Sequence, residues 1–125
     1  MELNYWIVPG LDASEKPSDA VITTIIFSAV EIVTSYSYDT LTLKKRKRSM
    51  VHARQLIFYF LKKYTSYTLK NIGKFFGKDH TTVIHGIQTI NDLLYVEDKE
   101  ILEWEQDINI LIRQSINNTR YDRDK

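Results

Sequence analysis

The spacing of the apolar residues constrains this chain more than any other feature. Between Ser18 and Ser35 they stand at positions 21, 22, 25, 26, 29, 30 and 33, the rhythm of one helix face. Ser18 offers an N-cap oxygen and Asp19 a negative charge for the first turn, so a helix is expected over about 19–35 despite its β-branched content. The rhythm returns with Met50, Ala53, Leu56, Ile57, Phe60, Leu61 and Tyr64, setting a second long helix over about 50–64 with Ser49 as its cap. A third follows over about 80–94, with Val83, Ile84, Ile87, Ile90 and Leu94 as its core stripe. A fourth spans about 98–116 on Ile101, Trp104, Ile108 and Leu111, extended by Leu102, Ile112 and Ile116. Two short helices complete the set. One, over about 38–43, buries Leu41 and Leu43; the other opens at Thr68, turns Leu69, Ile72, Phe75 and Phe76 inward, and closes at Gly77. The expected fold class is all-α, a bundle of about six helices.

The same reading divides the chain. Residues 1–17 hold both prolines, Pro9 and Pro17, beside Tyr5, Trp6 and Ile7, and read as an extended arm. Residues 18–116 form the helical domain, and 117–125 read as a frayed tail. A length of 125 residues with 43% hydrophobic and 26% charged residues suits one globular domain. Without cysteine, disulfides and thiolate metal sites are excluded. The start lacks a basic signal region, and the most apolar stretch, 21–33, is short and broken by Thr23, Thr24, Ser28 and Glu31. A cytoplasmic protein with no membrane partner is expected.

Charge is sharply segregated. From Lys44 to His80 there are eleven Lys and Arg against one acid, Asp79, whereas the remainder carries six basic residues against fifteen acids. Such a molecule has one anion-seeking face, and nucleic acid is the polyanion it best suits. The run Lys44-Lys45-Arg46-Lys47-Arg48 cannot pack inward and reads as a basic loop. The acids gather at the start of the last helix, at Glu97, Asp98, Glu100, Glu103, Glu105 and Asp107, and would repel a duplex. That helix is expected to sit away from the basic face.

Two short helices around a glycine form the helix-turn-helix pattern, in which the second helix offers its N-terminal residues to the major groove. Here those residues are Lys78, Asp79, His80, Thr81 and Thr82, all ahead of the core stripe. Threonine methyls can pack on thymine methyls, His80 can donate to a base acceptor, and Asp79 can accept from a cytosine amine or cap the helix. The basic run can follow phosphates and send an arginine into a narrow minor groove. Competing chemistries fit poorly. Gly73-Lys74-Phe75-Phe76-Gly77-Lys78-Asp79 imitates a phosphate loop but is one residue short and lacks the hydroxyl for magnesium, so no nucleotide is expected. His80 and His85 are five apart, on different helix faces, and His52 is distant in sequence, so neither a metal nor another cofactor is expected. No paired carboxylates or oxyanion element accompany Asp79 and His80, and the chain does not read as an enzyme.

The stretch Lys44–Ile90 resembles the C-terminal DNA-binding domain of the bacterial replication initiator DnaA. The basic loop, Ala53-Arg54-Gln55, Ile72-Gly73, and Asp79-His80-Thr81-Thr82-Val83 stand in the family's order and spacing, and the likeness extends more weakly over 18–116. The resemblance implies a helix-turn-helix fold binding an AT-rich duplex element, the DnaA box, with an added minor-groove contact. It implies Arg46 as the minor-groove arginine and Asp79, His80, Thr81 and Thr82 as the residues that read bases. It implies phosphate contacts at Arg48, Lys62, Thr65, Leu69 and His85, with Arg54 holding the loop and the DNA backbone; Lys44, Lys45, Lys47 and Lys78 join them by charge.

This chain departs from the family in three places. Gly77-Lys78 is one residue shorter than the usual Gly-Gly-Arg, Ala53 replaces a proline, and Thr89 replaces a basic residue. The 125 residues also leave no room for the initiator's AAA+ ATPase domain, so a DNA-reading module alone is expected. The expected function is sequence-specific binding of double-stranded DNA in replication initiation or its regulation, at the nucleoid. A transcriptional regulator on the same fold, or a module that contacts other replication proteins, are the alternatives.

Overall fold

The structure, a computed structural model, describes residues 17–123. Apart from Pro17, the expected arm lies outside the described residues, as do the last two residues of the expected tail. Six helices are described: α1 (Asp19–Thr34), α2 (Tyr38–Leu41), α3 (Arg48–Tyr64), α4 (Leu69–Lys74), α5 (His80–Tyr95) and α6 (Lys99–Arg123). No strand occurs among the described residues, and the all-α expectation is met.

Local chemistry sets most of these boundaries. The Ser18 hydroxyl accepts from the Val21 N–H at 3.2 Å, and the Thr68 hydroxyl from the Asn71 N–H at 3.1 Å, each satisfying an N–H that a helix start leaves open. The α5 end closes with the Asp98 N–H on the Leu93 carbonyl at 2.9 Å and Glu97 in the left-handed region at φ 57°. The start of α3 differs from expectation. It begins at Arg48, preceded by Lys47 with no side-chain cap, and the Ser49 hydroxyl bonds instead with the Tyr36 hydroxyl at 2.6 Å. Arginine is a good helix former, and the serine found its partner across the chain rather than at the helix start. Helix α6 continues past Ile116 to Arg123.

Helix α3 is the centre of the bundle. Met50, Ala53, Leu56, Ile57, Phe60, Leu61 and Tyr64 are all buried, packed among α1, α2, α4 and α5. Helix α6 lies on α1 and is tied to α3 by a polar seam: Tyr59 donates to Glu105 at 3.2 Å, Lys63 pairs with Glu105 at 3.6 Å, and Tyr64 donates to Asn109. Three residues expected on apolar faces are outside, the first being Val21, 41% exposed in the opening turn of α1. Ile84 is 44% exposed because α5 meets α3 through Gly86, where an added Cβ would stand 3.0 Å from Phe58 and 3.1 Å from Gln55. That close approach turns Val83, Gly86 and Ile90 inward and rolls Ile84 out. Leu43 is 50% exposed because α2 ends at Leu41 and the chain then leaves the core.

Candidate nucleic-acid interface

The α4–α5 turn is built by backbone locks. Gly77 takes φ 64°, the left-handed conformation that suits glycine, while the Lys78 N–H donates to the Gly73 carbonyl at 2.9 Å and the Gly77 N–H to Lys74 at 3.3 Å. Gly73 is the second lock. A Cβ there would lie 2.3 Å from the Lys78 carbonyl oxygen and 3.2 Å from that of Asp79, so only hydrogen lets the returning chain lie so close. Asp79 then caps α5, accepting from the Thr82 N–H at 2.9 Å. Hydrogen bonds from the Thr82 backbone and side chain hold the Asp79 carboxyl below its usual range, with the nearby His80 adding to the effect. The tip that results presents Lys78, Asp79, His80, Thr81 and Thr82 to solvent, with His85 one turn on.

The basic loop is held differently. Residues 44–47 have no regular structure and their side chains are exposed. Arg54, from α3, donates through Nε to the Leu41 carbonyl at 2.6 Å and through Nη2 to the carbonyls of Leu43 at 2.9 Å and Lys45 at 2.8 Å. One guanidinium thus closes the end of α2 and grips the loop from inside. Burial lowers the Arg54 pKa from the ordinary arginine value, and the group remains a cation at neutral pH.

Between loop and turn lies a groove of about 860 Å³. Lys44, Lys45 and Arg46 form one wall, Gly77, Lys78 and Thr82 the other, and Val51, Arg54, Gln55 and Phe58 line it from α3. No residue of the acidic α6 lines it, as the charge pattern led one to expect. The sequence-expected residues are therefore partly gathered. Lys44, Lys45, Arg46, Arg54, Lys78 and Thr82 share the groove, and Asp79, His80 and Thr81 stand at the adjoining tip. Lys47 and Arg48 are exposed where the loop enters α3. Lys62, Thr65 and Leu69 are elsewhere, at the α3–α4 junction. Lys62 is exposed, the Thr65 hydroxyl donates to the Leu61 carbonyl at 2.6 Å, and Leu69 is half-buried.

Sequence reasoning missed two polar groups on α3. Gln55 lines the groove with its Oε1 buried and without a partner among the described residues; its position beside Arg54 was the available signal. His52 is buried, its Nδ1 likewise unpartnered among the described residues, and nothing in its helical register distinguishes it from a neighbour of the stripe. Among the described residues no group of three or more His, Cys, Asp or Glu is placed to hold a metal ion, and no helix is long and apolar enough to cross a membrane.

Helices α3, α4 and α5 packed on one another, a glycine turn, a capped second helix with an exposed N-terminal tip, and a cationic loop beside it define a helix-turn-helix DNA-binding domain. The family comparison makes this particular. Residues 23–90 match the model of the bacterial dnaA protein helix-turn-helix, and the chain belongs to that family. Over 72 residues, 57% of this chain, it is 43% identical to the chromosomal replication initiator protein DnaA of Flavobacterium psychrophilum, covering 15% of that protein. The same-named protein of Bifidobacterium animalis subsp. lactis is 33% identical over 107 residues, 85% of this chain and 17% of the relative. The chain thus matches only about a sixth of the length of these relatives.

Proposed function

We infer that this chain binds double-stranded DNA sequence-specifically, at a short AT-rich element of the DnaA-box type, and serves replication initiation or its regulation. The observation that carries the reading is the groove, which sets a cationic loop opposite the polar tip of a helix-turn-helix. One wall suits a minor-groove contact by Arg46. The other suits base reading by Asp79, His80, Thr81 and Thr82, with Asp79 able to cap α5 and still accept from a base, since a carboxylate has room for several donors. The cations of the loop, with Lys62 and Lys78, suit phosphates, while Arg54 acts chiefly through the loop it holds. The replication role is supported by the relatives, which are chromosomal replication initiator proteins.

Selection of preferred duplexes from a random pool, followed by binding titrations, tests this. Thr82→Ala should cost about 1–3 kcal/mol on the selected site and relax the choice of base there, while Lys62→Ala should weaken all sequences alike. If about six phosphates are neutralised, log K should fall against log salt with a slope near −5. Equal losses on selected and random duplex for Thr82→Ala would sink base reading.

A further inference from the structure

The loop and the turn are separate segments of chain, and Arg54 reaches the end of α2 and the loop but not the turn. Something must set the distance between them, because a contact in one groove and a contact in the next succeed together only at a fixed spacing. Tyr38 on α2 is placed to do so. Its hydroxyl donates to the carbonyl of Phe75, at the end of α4, where a helix terminus leaves carbonyls without intrahelical partners. Its ring stacks on Phe27 at 4.6 Å and 12° and meets Phe76 at 5.2 Å. Phe75 in turn packs edge-on against Phe27 at 5.6 Å, and Phe76 against Phe58 of α3 at 5.6 Å. Three residues beyond Tyr38 the chain reaches Leu41, whose carbonyl begins the grip of Arg54. Tyr38 does not itself line the groove; it fastens the segment that leads into one wall to the segment that leads into the other.

We propose that Tyr38 is a positioning residue that fixes the separation of the basic loop and the recognition-helix turn, and thereby the register between minor-groove and major-groove contacts. The aromatic stack holds α2 in place. The hydroxyl adds direction, because a hydrogen bond to one backbone carbonyl selects a single rotation and slide that ring packing alone would tolerate. The register claim rests on the DNA-binding reading above, whereas the separation claim does not.

The test uses Tyr38→Phe, which keeps the ring and removes only the hydroxyl, in the full chain. Tyr59→Phe is the control, since its hydroxyl serves the remote α3–α6 seam. The chain has no cysteine, so spin labels at Lys45→Cys and Lys78→Cys report the loop-to-turn distance without DNA. Tyr38→Phe should broaden that distance distribution and Tyr59→Phe should not. On DNA, moving the AT-rich tract by one base pair relative to the major-groove bases should penalise the parent, and Tyr38→Phe should shrink that penalty by about threefold or more, as expected for coupled sites. An unchanged distance distribution overturns the proposal, as does equal weakening on all duplexes with the spacing penalty intact. So does loss of cooperative melting in Tyr38→Phe, which would make the hydroxyl a stability element. If the parent prefers no duplex, the DNA reading fails, and the label distances still decide what Tyr38 does.

Discussion

The two walls of the groove are built on opposite plans. The turn between α4 and α5 is fixed by its own backbone: Gly73 and Gly77 permit it, two N–H groups close it, and Asp79 seals the next helix. The basic loop has no such internal order and borrows its shape from one side chain in the second turn of α3. A wall made of backbone locks is rigid and tied to the stability of the domain. A wall held by a guanidinium can open while the domain stays folded. Under the proposed function, base reading would use the first property, and a loop settling into a DNA groove of variable width would gain from the second.

Gly73→Ala is the largest expected blow to the rigid wall. The new Cβ would meet the Lys78 backbone carbonyl oxygen at 2.3 Å, with no flexible side-chain end to give way. Destabilisation of about 3 kcal/mol is expected, at the top of the usual range for overpacking, read as a lower urea midpoint. A cost below about 1 kcal/mol would mean the turn can relax and is not locked as described.

Arg54→Met tests the other plan. The carbonyls of Leu43 and Lys45 lie in an exposed segment, so water can replace those two bonds, and the loss of the part-buried Leu41 bond sets a global cost of about 1–2 kcal/mol. Local opening should change far more. The loop is a run of trypsin sites, and native-state cleavage within Lys44–Arg48 should accelerate on the order of tenfold, beyond what the shift in global stability explains. Cleavage that tracks global stability alone would erase the distinction between the walls.

The contrast also explains what could be read in the sequence. Turn chemistry is written in residue types: Ser18, Thr68, Gly77 and Asp79 announced their roles because caps and left-handed turns need those side chains. The loop was legible as charge but its position was not, since the partners of Arg54 are carbonyls, which every residue has. The exposure of Ile84 was hidden for a related reason. Periodicity gives a face about a third of a helix wide, and the closeness of Gly86 to Phe58, a tertiary fact, decided which edge of that face went inside. The Ser49 hydroxyl was misread as a cap and that of Tyr38 was silent, because each is bonded to a residue distant in the chain.

Acid should separate the walls a third way, with the smallest effect. His52 lies on α3 just beyond the loop, and burial first, then the charge of Arg48, lowers its pKa from 6.5, while Glu100 and Asp98 pull it back. The folded chain therefore prefers the neutral ring. Unfolded chain takes up the proton near pH 6.5, so the stability from this group is complete above that value and declines as the pH falls through it. Asp79 works in a lower window. Its pKa is depressed from 3.8, so its contribution is present above that value and is lost as the pH falls through the folded pKa. The α3 end beneath the loop should thus weaken first and the α5 cap later. Melting temperature measured from pH 7.5 to 3 checks this: His52→Leu should flatten the upper part of the fall and Asp79→Asn only the lower. An unaltered upper slope in His52→Leu would remove the buried ring as its source, and flattening of the upper slope by Asp79→Asn would show that loop and turn do not respond separately.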